Sequence, residues 1–149
     1  MSVTAFWFGK AILNAFGGET EGESIGIDYL TDDIRVSLHT STFTPDQDTM
    51  EFFSDTTNEV TGTAYVADGE LLGTKTLAYA STVTTFDAAN VTWSASTITA
   101  RYAVVYKDTG VASTSPLLGW VDFGQDYSSS LGDFTITWDA TGILTVTVS

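Results

Sequence analysis

His39 is the only histidine of the chain, and the absence of cysteine removes thiolate nucleophiles, which leaves one imidazole as a candidate base. His39 follows Leu38 in an alternating stretch, and a Ser-His-Asp arrangement would need the fold to set a nucleophile beside it. No Gly-x-Ser-x-Gly stands at a strand-to-helix turn, and neither a P-loop nor a Gly-x-Gly-x-x-Gly fingerprint occurs. An ordinary strand histidine is expected at 39, and the chain reads as a non-enzyme.

Carboxylates are the other chemical resource. Nineteen Asp and Glu allow chance pairs of the glycosidase kind, but no spacing marks a pair as buried. The loops 28–33, 46–55 and 122–126 gather oxygen ligands without the regular spacing of a twelve-residue calcium loop. Solvated acidic loops are expected there, with no metal and no cofactor. Trp93, Trp120, Trp138, Tyr102, Tyr106 and Tyr127 offer flat faces of the kind that stack on sugars, although core packing accounts for most of them.

Five Lys and Arg against the nineteen acids give a formal net charge of -14. Such a surface is repelled by phosphate backbones and anionic head groups, so neither a nucleic acid nor a membrane is expected as partner. No apolar run approaches the roughly 20 residues that span a bilayer. Met1-Ser2-Val3-Thr4 carries no basic side chain, so no secretory leader is expected and synthesis is placed in the cytoplasm.

Thr and Val recur and aromatics make up 13% of the 149 residues, which favours strands. The expected fold is a single mainly-β domain over 1–149, an antiparallel β-sandwich or barrel with a short N-terminal helix and one further short helix. The first helix is predicted over 5–16, from apolar residues three and four apart, with Thr4 as N-cap and Gly17-Gly18 as stop. The second is predicted from Thr44-Pro45-Asp46-Gln47 to about Phe53, as a capping box with proline at the first helical position. Between them, 19–33 reads as an exposed acidic loop. Strands are predicted over 34–40, 60–66, 70–80, 82–86, 97–107, 117–123, 134–139 and 143–148, the last two joined as a hairpin by Asp139-Ala140-Thr141-Gly142. Ile34, Val36 and Leu38 face the core, and 99–107 reads as a central strand. Phe6, Trp7 and Phe8 supply more apolar surface than one short helix hides, which makes them the candidate subunit interface.

Arg35-Val36-Ser37-Leu38 leading to Phe43-Thr44-Pro45-Asp46-Gln47-Asp48-Thr49, the stretch Ser96–Gly110, Ser115–Phe123 and the closing Phe134–Val148 region resemble a family of small structural proteins of tailed-phage particles. The resemblance spans most of the chain, including Gly9-Lys10-Ala11, and its residues mark strands, turns and packing. It implies a virion location, no catalytic site, and the major capsid protein or other virion proteins as partners. Charge favours the capsid exterior, because packaged DNA lines the inner wall and would face like charge. A capsid decoration (cement) component, homo-oligomeric, is therefore expected; a tail or fibre component acting as a receptor- or glycan-binding module is the alternative.

Overall fold

The computed structural model describes residues 4–17 and 26–149. Thr4–Trp7 forms strand β1, Gly9–Phe16 helix α1 and Ile34–His39 strand β2. Glu70–Leu71 (β3), Thr76–Ala80 (β4), Val83–Asp87 (β5), Val91–Ser96 (β6) and Thr99–Lys107 (β7) follow. Leu117–Ser128 (β8), Gly132–Ile136 (β9) and Leu144–Thr147 (β10) complete the strands. Short 3₁₀ turns lie at Phe53–Asp55 and Ala112–Thr114.

Five strands make one antiparallel sheet in the order β1-β8-β7-β2-β3, with β7 at its centre. Alternation along β2 and β7 explains why both faces of this sheet are covered. Ile34, Val36, Leu38, Ala103 and Val105 point to a main core shared with Val91, Trp93, Phe134 and Ile136. The intervening Val104 and Tyr106 point the other way, into a second core filled by Phe8, Phe43, Phe53, Leu117 and Trp120. Phe53 stacks flat on Tyr106 with centroids 4.1 Å apart. The layer over the main core is split in two, a sheet β10-β5-β4 and a pair β6-β9. The fold is mainly β, antiparallel and sandwich-like.

Several expectations are corrected. The first half of the predicted N-terminal helix is strand β1. Three successive aromatics suit an extended backbone, and pairing with β8 lays Phe6 on Trp120, centroids 5.0 Å apart, and buries Phe8. The helix starts only at Gly9, and Thr4 is not its cap. The second predicted helix is absent: the Asp46 carboxylate accepts the N–H groups of Asp48 and Thr49, so a single turn forms and helical structure is confined to the 3₁₀ turn 53–55. Residues 60–66 make one isolated bridge, Thr63 to Thr97, in place of a strand, since Ala64 takes φ 61° and the carbonyl of Thr97 leaves no room for a side chain at Gly62. The 134–148 hairpin is not a hairpin either. The Asp139–Gly142 turn forms as expected, with Gly142 at φ 95°, but β9 pairs with β6 and β10 with β5. Gly18 of the predicted helix stop and 19–25 of the acidic loop lie outside the described residues.

Candidate functional site

Ser37 and His39 lie two apart on the same face of β2, so their side chains meet: Ser37 Oγ is 2.9 Å from His39 Nε2. His39 Nδ1 lies 2.8 Å from the Thr57 carbonyl, which can only accept, so Nδ1 carries the proton and the Ser37 hydroxyl donates to Nε2. This is the hydrogen-bond order of a serine–histidine pair. Both side chains are fully buried, however, and Phe43 and Phe53 pack on the imidazole. A carbonyl stands where a carboxylate would hold an imidazolium, and burial pushes the histidine down to about 4. The pair satisfies two buried polar groups and reaches no substrate.

The Gly-x-Ser-x-Gly spacing does occur, in Gly22-Glu23-Ser24-Ile25-Gly26. Gly22 to Ile25 lie outside the described residues, while Gly26 leads through a turn at Asp28 into β2, not into a helix. An elbow serine also needs a histidine, and the single one is committed to Ser37 and Thr57.

The carboxylates hold turns. Asp28, Asp46, Asp55 and Asp139 each accept backbone N–H groups within their own loops, and side-chain bonds to Thr31, Thr49 and Thr141 keep Asp28, Asp46 and Asp139 below the usual carboxylate range. Glu59, half-buried under the Tyr65 hydroxyl, is pushed up by burial. Among the described residues, no three His, Asp or Glu side chains gather as metal ligands. All five cations are engaged: Lys10 with Glu51, Arg35 with Asp108, Arg101 with Asp122, Lys107 with Asp32, and Lys75 with the Asp32 carbonyl.

Of the six aromatics singled out as a stacking platform, Trp93, Trp120 and Tyr106 are buried and Tyr102 packs beside the second core. Tyr127 and Trp138 remain half-buried, and both border a crevice of about 230 Å³ between β8 and β9. Trp138 is fixed there by its indole N–H donating to the Ala89 carbonyl.

The candidate interface residues divide. Phe8 is 1% exposed and belongs to the second core, where it packs on Trp120, so its surface is used within the subunit. Trp7 is half-buried, its Nε1 donating to the Thr145 carbonyl over 2.8 Å, and Phe6 is 41% exposed. The larger apolar surface comes from α1. Leu13 and Phe16 are 62% and 85% exposed beside Ile12, while Ala11 and Asn14 face inward. The Asn14 amide nitrogen has no partner among the described residues.

No family model, curated protein or solved structure matches this chain. The geometry offers no exposed nucleophile–base pair among the described residues, an outward apolar helix face, and one aromatic crevice. The interface was placed on Phe6, Trp7 and Phe8 because the 3.6-residue pattern was extended over residues that are strand. Started at Gly9, the apolar stripe Ile12-Leu13-Phe16 falls opposite Ala11 and Asn14.

Proposed function

We propose that this chain is a non-enzymatic structural subunit of a tailed-phage particle, seated on the capsid exterior as a decoration component and attached through the outer face of α1. The observation that carries this reading is the inverted helix: Ile12, Leu13 and Phe16 point outward while polar Asn14 is turned in. A water-facing helix normally shows the opposite arrangement, and apolar side chains held outward together fit a surface that another protein covers. The engagement of the only histidine and all five cations within the fold supports a role without catalysis or phosphate contact. The resemblance of the 35–49, 96–110, 115–123 and 134–148 segments supports the virion setting, and the -14 charge supports the exterior side of the shell.

Tyr127 and Trp138 favour a second reading, a tail or fibre subunit that binds a receptor or glycan at the crevice. Copy number separates the two. Quantitative mass spectrometry of purified particles should find this chain near the copy number of the major capsid protein or a simple fraction of it. A few copies per particle would favour the fibre reading, and absence from particles would overturn both.

A further inference from the structure

Consecutive side chains of a strand point to opposite faces, so a cavity on one face touches every second residue. The crevice beside β9 touches every residue from 133 to 139. It therefore runs along the edge of the strand. β9 pairs with β6 on its other side and has no second neighbour among the described residues, so the edge along the crevice is the unpaired one. In an antiparallel strand, alternate residues direct both N–H and C=O to such an edge.

The opposite wall belongs to the approach to β10. A second cavity of about 360 Å³, bordered by every residue from 141 to 145, shares Ala5, Asp139, Gly142 and Ile143 with the first, of about 230 Å³. Together they make one trench in the gap that splits the outer layer, within the range of roughly 300–1,000 Å³ typical of binding sites. Its floor is the apolar side of the five-stranded sheet, with Val121 and Phe123 buried beneath it. On the β10 side the Thr145 carbonyl is already taken by the Trp7 indole, which leaves β9 as the open edge.

The geometry points to β9 as an acceptor edge for an extended segment of another protein, one that alternates apolar side chains over Phe123 and Phe134 with basic side chains toward Asp133 and Asp139. Charge selects this occupant. Asp133 and Asp139 are exposed, and among the described residues no Lys or Arg borders either cavity. A second copy, at a net charge of -14 and with uncharged edge strands β1 and β4, would approach an acidic trench against like charge and offer it no basic side chain from those strands. Main-chain bonds to the free edge would supply affinity and the trench the side-chain selection. This contact is separate from the α1 face, and its failure leaves the proposed function untouched.

The test is an amide-resolved NMR titration of the full chain with short synthetic peptides alternating valine and lysine. Saturable binding should shift the amides of 133–139 first, and a glutamate-for-lysine peptide should bind roughly tenfold more weakly at low salt. Asp133→Asn with Asp139→Asn keeps the acceptors that hold the Ala95 and Thr141 N–H groups, and should weaken the lysine peptide by a similar factor. A peptide N-methylated on alternate residues should lose binding, because it cannot pair with the edge. Shifts centred on α1, equal binding of the acidic or N-methylated peptide, or saturation of the trench by a neutral oligosaccharide with no response to the lysine peptide would each overturn the assignment.

Discussion

The Ser37 hydroxyl donates to His39 Nε2 over 2.9 Å inside β2, which fixes the chain's only imidazole as a neutral, buried group. Burial depresses its pKa from 6.5 to about 4, so the unfolded chain binds this proton more readily than the folded one. Stability from this group is full above pH 6.5 and falls as pH drops from 6.5 to about 4, by an amount on the order of 3 kcal/mol. The carboxylates held below their usual range release their own contribution only at lower pH. Urea unfolding at half-unit pH steps should show this decline. His39→Gln should lose the slope in that window whatever its own stability, and an unchanged slope would assign it to another group.

Phe8 and Phe16 lie eight residues apart with opposite surroundings, at 1% and 85% exposure. Phe8→Ala empties the space against Trp120 and should cost about 3–5 kcal/mol. Phe16→Ser should change stability by less than about 0.5 kcal/mol while weakening attachment to particles. Equilibrium unfolding of the two variants separates them, and comparable losses would place the outer helix face in the core.

The parts of the fold that were legible in the sequence are those where local pattern and tertiary demand coincide. In β2, Ile34, Val36 and Leu38 alternate and are all buried; in β7, both faces are apolar and the strand is central. The Asp139–Gly142 turn was legible because a carboxylate and a positive-φ glycine decide it locally. Its strands were misassigned because pairing depends on distant partners, Val91–Trp93 and Val83–Phe86, which no local signal names. β6 went unseen because Val91 and Trp93 stand among Thr, Ser and Ala, a pattern too thin to mark a strand alone. The crevice could not be read at all, since it exists only where β9 and β10 fail to meet.

Gly119 sits in β8 where a Cβ atom would stand 2.5 Å from the Phe6 carbonyl and 2.9 Å from both Leu144 methyls. Backbone on one side and a buried leucine on the other leave little room to yield. Gly119→Ala should therefore cost about 1–3 kcal/mol and loosen β1 from β8. Hydrogen exchange should show the amides of 4–7 losing protection before those of β7. Uniform loss across both strands would instead mean that β1 is bound to the sheet as firmly as its centre.

Salt acts on this chain in two opposing directions. Four ion pairs, Lys10–Glu51, Arg35–Asp108, Arg101–Asp122 and Lys107–Asp32, weaken as ionic strength rises. All are at the surface or partly exposed, where such pairs contribute about 0–1 kcal/mol each. Against them stands the repulsion of a net charge of -14, spread over a chain in which every cation is already engaged. Raising sodium chloride from about 10 mM to about 1 M shortens the screening length from roughly 30 Å to roughly 3 Å, which removes most of that repulsion. The repulsion is the larger effect, so Tm should rise by roughly 2–4 °C over this range, the shift expected for about 1 kcal/mol in a chain of this size. Chloride is the anion to use, because sulfate also strengthens apolar burial and would raise Tm by a different route. A flat or falling Tm would mean that the ion pairs outweigh the net charge.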